Sequence, residues 1–242
     1  LDVSAVAGDE KYPDIIALPD GRVVVTWMSG VSGPQLLGRI IEPDGDLSPV
    51  FQVNTGALDF DPPGVSHGRE EHQFRQFSSS LEDGGFVVVW TSEHGGNFDI
   101  YGQMFNSDGS ARGGQLSLAA DPDLADLRPT VTGLSDGGFV VTWHRGPLVR
   151  SASEETDTPA DDVYAQRFDA DGHPIGDEFL VNTTQVGRQY YPAVTETTDG
   201  RMVIVWASSQ DGDGGTSAGV YGKTFDLPGH ALEDSDVNLP LM

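Results

Sequence analysis

The sequence has no cysteine and few basic residues, and these two absences narrow the possible functions. Without cysteine, the chain has no disulfide framework and no thiol nucleophile. Lys and Arg together number 13 against 38 Asp and Glu, which gives a formal net charge of −25. Such a charge repels phosphate backbones and attracts cations. We therefore expect divalent cations, and no nucleic acid, among the partners.

The chain also lacks long apolar runs, helical patterns and a zinc-protease motif. No apolar run reaches the roughly 18 residues of a membrane span, so no spanning segment is expected. No apolar periodicity near 3.6 residues stands out. HExxH does not occur, so the motif signal for a zinc protease is missing. Carboxylates are too numerous for any one pair to be singled out as catalytic.

What the chain does contain is a fourfold repeat. The runs DGRVVVTW, DGGFVVVW, DGGFVVTW and DGRMVIVW end at Trp27, Trp90, Trp143 and Trp206. A period of roughly 50–60 residues, built on short apolar runs and turn signals, is typical of repeated β-modules. Because the four Trp recur at one position of the repeat, we predict that they pack between modules.

Each repeat contains four short runs that read as strands. The runs are rich in Val, Ile, Phe, Tyr and Thr and are bounded by Gly, Asp and Pro, which is a strand pattern. Four such modules predict an all-β fold, a four-bladed β-propeller of four-stranded antiparallel blades. We expect a single domain over 1–242, with blades at about 11–55, 74–119, 129–183 and 192–240.

The first strand of each module should lie innermost, where the blades crowd together. Its middle positions are mostly small or short: Ile16, Ala17, Ser79, Ser80, Thr132, Gly133, Thr195 and Glu196. Glu196 is the one charge among them, and it either lines the channel and holds a cation or is simply solvated at the channel mouth.

Closure of the ring has two candidate strands. Residues 1–6 (LDVSAV) and residues 236–241 both fit the outer position of the last blade. Either the N-terminal strand closes the ring and displaces the tail, or the chain was cut from a longer array. We expect the N-terminal strand to close it. The chain starts at Leu1 with no signal peptide, so we expect a mature form, a fragment or an excised domain.

The two faces of the propeller should differ. Turns between first and second strands, and between third and fourth, are short and mostly Asp-Gly, which is hairpin chemistry. The loops of the opposite face vary in length and composition, at 56–75, 120–128, 146–161 and 208–219. Variable loops on a rigid scaffold are where function usually lies, so we expect the loop face to carry the site.

The third repeat resembles a known family. The runs DGGFVVTW and VYAQRFDADGHPIGDEFLVNTT, within 136–184, resemble repeats of large secreted calcium-dependent (RTX-type) bacterial proteins, many of them adhesins. The resemblance implies an extracellular bacterial protein, exported by a type I route, with calcium as cofactor. The Gly-Asp nonapeptide of that family is absent. The four-bladed count is similar to hemopexin-like domains, but their motifs and closing disulfide are missing, so no site is carried over from them.

Acidic loops supply the candidate metal ligands. Two or three carboxylates lie close together at Asp121, Asp123 and Asp126 and again at Asp211 and Asp213. Calcium accepts six to eight oxygens in irregular geometry, so such loops can bind it. Neither loop has the EF-hand spacing, and in so acidic a chain they can equally be solvated carboxylates.

Basic and aromatic residues on the loop face supply the candidate ligand-binding set: His72, His144, Arg145, Tyr190 and Tyr191. Arg and His suit an anionic or sugar ligand, and tyrosine rings can stack on a sugar. Alternatively, the basic residues form ion pairs within an acidic protein, and the tyrosines pack against a neighbouring blade.

The function expected from these features is binding, not catalysis. We expect an extracellular recognition or adhesion domain that holds a glycan or a surface protein through the loop face. The alternative is a polysaccharide-degrading enzyme, a glycoside hydrolase or a lyase, with its active site on the same face.

Overall fold

A computed structural model describes residues 2–4, 10–30, 35–55, 75–94, 97–147, 161–209, 219–226 and 237–238. Within these ranges the chain is all-β and contains no helix. Accordingly, none of the described residues forms a helix that could cross a membrane.

Sixteen strands form four sheets. The first sheet contains β1 (Glu10–Ala17), β2 (Val23–Ser29), β3 (Gln35–Ile41) and β4 (Phe51–Gln52). The second contains β5 (Phe77–Ser80), β6 (Phe86–His94), β7 (Asn97–Phe105) and β8 (Ala111–Ala119). The third contains β9 (Leu124–Gly133), β10 (Phe139–Pro147), β11 (Asp162–Phe168) and β12 (Pro174–Leu180). The fourth contains β13 (Gln189–Glu196), β14 (Met202–Ser208), β15 (Gly219–Phe225) and β16 (Val237–Asn238).

Each sheet is a blade whose strands follow chain order. Neighbouring strands pair antiparallel in all four blades, and the first strands pack in series, β1 on β5, β5 on β9 and β9 on β13. The predicted fold class, an all-β four-bladed propeller, is confirmed. The repeat was sufficient to predict it because each copy encodes one complete antiparallel sheet.

Hydrophobic cores fill the spaces between successive blades. Phe86, Val88 and Trp90 on β6 face the first blade, whereas Val87 and Val89 face the third. All five side chains are fully buried. A strand covered on both faces has no polar side, which explains the unbroken apolar runs before each Trp.

The repeated Trp residues pack between the blades, as predicted. Trp90 and Trp143 are fully buried, and Trp27 and Trp206 are nearly so. In three blades the indole stacks on a tyrosine of the neighbouring third strand, for example Trp143 on Tyr164 with ring centroids 6.3 Å apart. Trp90, Trp143 and Trp206 therefore each anchor a blade to the one before it.

The inner strands approach each other closely, as their small residues predict. The N–H of Gly133 donates to Ser79 Oγ across the gap between β9 and β5, at 2.9 Å. A Cβ added to Gly133 would overlap the carbonyl oxygen of Ser80. Only glycine permits this separation of the two backbones.

In the turn between the first and second strands of every blade, an Asp pairs with an Arg. Asp83 Oδ1 accepts from the N–H of Gly85 at 3.0 Å, and its other oxygen pairs with Arg112. Asp136 does the same with Gly138 and Arg167. In the first and fourth blades the Arg lies in the turn itself, two residues after the Asp. The repeated Asp therefore has a structural role in every blade.

Replacing Asp83 or Asp136 with alanine should lower the free energy of unfolding by about 1 kcal/mol, because the turn N–H and the guanidinium both lose their acceptor. Asp123→Ala, in an exposed loop position, is the matched control and should change stability by less than about 0.5 kcal/mol. Urea titrations measure all three. Equal midpoints for Asp136→Ala and Asp123→Ala would contradict this role.

The outer position of the fourth blade belongs to the C-terminal segment. β16 pairs with β15 through Tyr221–Asn238 and Gly222–Val237. Residues 2–4 form no strand, and Val3 accepts a hydrogen bond from Arg39 of the first blade at 3.0 Å. The expectation that residues 1–6 take this position and displace the tail is therefore corrected. Non-covalent closure of the ring stays a prediction.

Candidate functional site

One position of the repeat carries a large aromatic or basic side chain in all four blades. In each blade a large residue stands at, or just before, the start of the inner strand's apolar run. In chain order these residues are Tyr12, Arg75, Arg128 and Tyr191. In three of them a proline follows. The position lies at the end of the inner strand where the connector from the previous blade enters, and this end belongs to the predicted loop face.

Backbone strain marks the same position. Tyr12, Arg128 and Tyr191 have φ of 53°, 54° and 55°, and within the described residues they are the only positive-φ residues other than glycine. Each also lies where the pairing register of its strand shifts. Left-handed backbone at a bulky residue costs of order 1 kcal/mol or more and tends to persist at functional sites. The strain turns three large side chains away from the regular strand directions.

The four side chains form two cation–π pairs. The guanidinium carbon of Arg75 lies 5.1 Å from the ring centre of Tyr12, and that of Arg128 lies 4.2 Å from the ring centre of Tyr191. Each contact joins two neighbouring blades. Stacking on a ring fixes the plane of a guanidinium.

Three of these residues, Arg75, Arg128 and Tyr191, line a pocket of about 380 Å³. Its lining comes from the second, third and fourth blades: Arg75, Phe77, Arg128, Thr130, Tyr191, Pro192 and Ala193. The volume falls within the range of small-ligand sites. Tyr191 is half exposed, so its ring is accessible to a ligand.

The chemistry of the pocket suits an anionic sugar. Guanidinium groups bind carboxylates through paired N–H donors, and the rings of Phe77 and Tyr191 offer apolar surface for a sugar face. The Tyr191 phenol and the Thr130 hydroxyl can exchange hydrogen bonds with sugar oxygens. Among the described lining residues the formal charges are all positive, in a protein of net charge −25.

Two of the predicted ligand residues are buried inside the third blade instead. His144 and Arg145 belong to β10, which continues to Pro147 where a loop was expected, and only 4% and 7% of their surface is exposed. The strand pairing places Arg145 opposite Asp126 of β9 and Asp162 of β11. Their prediction as ligand-binding residues is therefore wrong.

Arg145 is the centre of a buried ionic cluster. Its guanidinium binds Asp126 through two bonds of 2.7 and 3.2 Å, pairs with Glu178 and stacks 4.6 Å from the ring centre of Tyr164. Burial raises the pKa of Asp126 to about 6, although the bonds from Arg145 act in the opposite direction. The same carboxylates raise the pKa of Arg145, although its burial opposes them. We take the pair to be ionised near neutral pH, because the two-bond geometry offsets much of the desolvation.

The two predicted tyrosines have different roles, one at the pocket and one in packing. Tyr191 lines the pocket. Tyr190 is half-buried, lies edge-on to Tyr191 at 4.7 Å and is stacked under Arg188 at 5.1 Å. The fifth candidate, His72, lies outside the described residues.

The predicted metal ligands of the 121–126 loop do not converge. Asp121 Oδ1 accepts from the N–H groups of Asp123 and Leu124 at 2.9 and 3.0 Å, Asp123 is exposed, and Asp126 is occupied by Arg145. Within the described ranges, no group of three or more His, Asp or Glu side chains is placed to hold a metal ion. Asp211 and Asp213 lie outside these ranges, and calcium binding stays a prediction.

Glu196 links two blades. Its carboxylate accepts from the N–H and the hydroxyl of Ser135 at 2.7 and 2.8 Å. The carboxylate is thereby bound to the third blade, which corrects its prediction as a cation ligand in the channel.

Sequence reasoning missed Arg75, Arg128, Tyr12 and Phe77. A signal for the first three was present: aligning the four inner strands places Tyr, Arg, Arg and Tyr at one position. A large residue repeated before proline predicts a constrained backbone, but which side chains meet across the axis depends on the arrangement of the blades.

By sequence, no protein-family model and no curated protein matches the chain. By structure, it is similar to an α-L-arabinanase of Penicillium chrysogenum solved with arabinobiose, at 15% identity and TM-score 0.62, covering 98% of this chain and 68% of that one. It is similar to an α-L-arabinofuranosidase of Fusarium graminearum solved with an iminosugar inhibitor, at 11% identity and TM-score 0.60, covering 95% and 66%. It is also similar to an ulvan lyase, a polysaccharide lyase solved with bound GlcA(1-4)Rha3S, at 11% identity and TM-score 0.58, covering 90% and 56%.

At these identities the likeness establishes the fold. The chain spans about two thirds of the length of the two arabinan-degrading enzymes. The comparisons also correct the expected function: the similar structures just described are polysaccharide-degrading enzymes, and none is an adhesin. These enzymes favour the alternative, a polysaccharide-degrading enzyme, over the adhesion domain that was expected, and the expectation of binding in preference to catalysis is corrected.

Proposed function

We propose that the protein degrades an acidic polysaccharide by eliminative cleavage, in the pocket between Arg75, Arg128 and Tyr191. The observation that supports this most is that two arginines and a half-exposed tyrosine line one sugar-sized pocket. The fold supports it too, because propellers of this kind carry polysaccharide hydrolysis and elimination in the similar structures.

Elimination needs two things that this pocket offers. The carboxylate of a uronate must be held by positive charge, so that its neighbouring carbon can lose a proton. A group that takes and returns a proton must also lie beside that carbon. Arg75 and Arg128 supply the charge, and Tyr191 supplies the proton-carrying oxygen. The ring centre of Tyr191 lies 4.2 Å from the guanidinium carbon of Arg128.

The proposed elimination uses neither water nor a cofactor. The phenol oxygen of Tyr191, as the phenolate, takes the proton from the carbon that bears the carboxylate. The electron pair forms a double bond to the next ring carbon, and the bond from that carbon to the glycosidic oxygen breaks. The same proton passes to the leaving oxygen, which restores the phenolate and leaves one unsaturated and one saturated chain end.

The proposed substrate is an acidic polymer such as one containing glucuronate, the sugar named in the bound ligand of the ulvan lyase. The overall charge of −25 repels such a polymer at long range, but salt at physiological strength screens charges beyond about 8 Å. At contact, the guanidinium groups dominate. A polymer substrate of this kind also agrees with the proposed extracellular location.

Tyr191→Phe tests the site directly. We expect cleavage of a glucuronate-containing polysaccharide to fall by about 10²–10⁴-fold, the usual contribution of a positioned acid–base group. Tyr190→Phe is the matched control, because it removes the same hydroxyl from the adjacent tyrosine, which does not line the pocket. Since Tyr191 is half exposed, both variants should keep the melting temperature of the parent protein.

Arg128→Gln removes one carboxylate-binding group. It should therefore raise the KM for an acidic polysaccharide, and it should weaken the binding of a neutral glycan less. A Tyr191→Phe variant as active as Tyr190→Phe would overturn the assignment of the proton carrier. No cleavage of acidic or neutral polysaccharides by the parent protein would overturn the proposed function.

A further inference from the structure

The second and third blades share a core with a neighbouring blade on both faces, whereas among the described residues the first and fourth blades each do so on one face only. Cores lie between the first and second, the second and third, and the third and fourth blades. In the described part of the chain, no corresponding core joins the fourth blade to the first. Among the described residues, the outer faces of the first and fourth blades therefore have no partner blade.

The outer face of the first blade is apolar. It carries Ile15, Val23, Val25, Trp27, Leu37 and Ile41, which the strand pairing places on one side of the sheet. Ile15 is 66% exposed, Trp27 is 4% exposed and the other four are half-buried. Arg39 also lies on this side, but its guanidinium donates to the carbonyls of Ser48 and Val3. We call this surface the first-blade face.

The outer face of the fourth blade is also apolar. Val203, Val205, Ala207 and Val220 lie together on the side opposite the core shared with the third blade. Val220 is 39% exposed, and the other three are half-buried. We call this surface the fourth-blade face. Both faces are unusual in a chain with 38 acidic residues, and exposed apolar patches mark interaction sites.

The repeat shows what these faces are built to contact. Ile15, Val23 and Val25 occupy the positions of Val131, Phe139 and Val141, which the third blade buries against the second. Val203 occupies the position of Val140, which the third blade buries against the fourth. The first-blade face and the fourth-blade face are thus the two halves of an interface that already occurs three times within the chain.

We propose that two copies of this chain associate, with the fourth-blade face of each packed on the first-blade face of the other, so that these contacts form between copies in place of closure within one chain. A second copy is the fitting occupant because it brings both halves of the interface, and two reciprocal contacts leave neither face exposed. Ile15 and Val220 are the residues of these faces that remain most exposed, at 66% and 39%. Their low charge also lets two acidic copies meet without opposing carboxylates in contact.

Light scattering coupled to size-exclusion chromatography tests this on the full chain. The parent protein should have twice the monomer mass of 25.8 kDa. Ile15→Glu and Val220→Glu, each placing a charge in one face, should both have the monomer mass. Val186→Glu is the matched control and should keep the dimer mass, because Val186 is 67% exposed and lies on neither face. The two monomeric variants should share one melting temperature, which shows that neither substitution disrupts the fold.

Mixing the two monomeric variants gives the sharpest result. The Ile15→Glu copy keeps its fourth-blade face and the Val220→Glu copy keeps its first-blade face, so one intact contact can form between them. We expect the mixture to contain a species of dimer mass that neither variant shows alone. A monomeric parent protein, dimeric single variants or a mixture that stays monomeric would each overturn the proposal.

Discussion

Arg145→Ala is expected to destabilise the protein by about 3–5 kcal/mol, the usual loss when one partner of a buried ion pair is removed. Asp126, which has no exposed surface, would keep its charge without its two bonds of 2.7 and 3.2 Å. Tyr164 would also lose the guanidinium stacked on its ring. Chemical denaturation at neutral pH, read by tryptophan fluorescence, measures the loss.

Two controls separate the buried charge from lost packing. The double variant Arg145→Ala/Asp126→Asn removes the charge left behind, so it should be more stable than Arg145→Ala alone. Lowering the pH should also reduce the loss of stability that Arg145→Ala causes. The pKa of Asp126 in the folded protein, about 6, exceeds its ordinary value of 3.8, so the folded state binds this proton more tightly than the unfolded state. The resulting stabilisation is complete below about pH 4 and is lost as pH rises through 6. A loss under about 1 kcal/mol, unchanged between pH 4 and 7, would show that Arg145 acts as a surface residue.

Gly133→Ala is expected to cost about 3 kcal/mol, at the upper end for overpacking. The added methyl would overlap the carbonyl oxygen of Ser80, a backbone atom that cannot rotate away as a side chain would. The inner strands β5 and β9 would have to separate, which also lengthens the bond between Gly133 and Ser79. Thermal and urea denaturation give the change in stability.

Gly114→Ala is the matched control for this substitution. Gly114 is exposed on β8, and an added Cβ would meet nothing within 4 Å. Alanine should be neutral or slightly stabilising there. If Gly133→Ala were as stable as Gly114→Ala, the close approach of the second and third blades would be disproved.

The fold was predictable because its information is local and repeated. One strand pattern, one Asp-Gly turn and one Trp recur in four copies, so each copy supports the assignment of the others. The same repetition identified the inner strand through its small residues, of which Gly133 and Ser80 show the reason. The Asp of each turn was identified too, although its Arg partner comes from the turn itself in two blades and from the third or fourth strand of the blade in the others.

The site was only partly predictable because it depends on side chains from different blades. Arg145 looked like a loop residue because it follows Trp143 in the direction of a long connector. Its burial follows from the extension of β10 to Pro147 and from the strand register that places Asp126 opposite it. Strand length and register are set by pairing with distant segments, which a local pattern does not contain.

The pocket shows the same limit in another form. Tyr191 was selected from the sequence as a polar aromatic residue on the loop face, and it lies in the pocket. Arg128 was overlooked because single arginines before prolines are common, and its importance appears only when its guanidinium is found over the ring of Tyr191.

Eliminative cleavage in the pocket around Tyr191 is tested most directly by a single assay. A glucuronate-containing polysaccharide is incubated with the full chain, and new reducing ends are counted alongside the ultraviolet absorbance of unsaturated uronate ends. Elimination produces one unsaturated end for every new reducing end, so we predict that the two signals rise together in equal amounts and that both disappear in Tyr191→Phe. Reducing ends without absorbance would show hydrolysis and contradict the eliminative step, and no signal of either kind from any acidic polysaccharide would contradict the proposed activity as a whole.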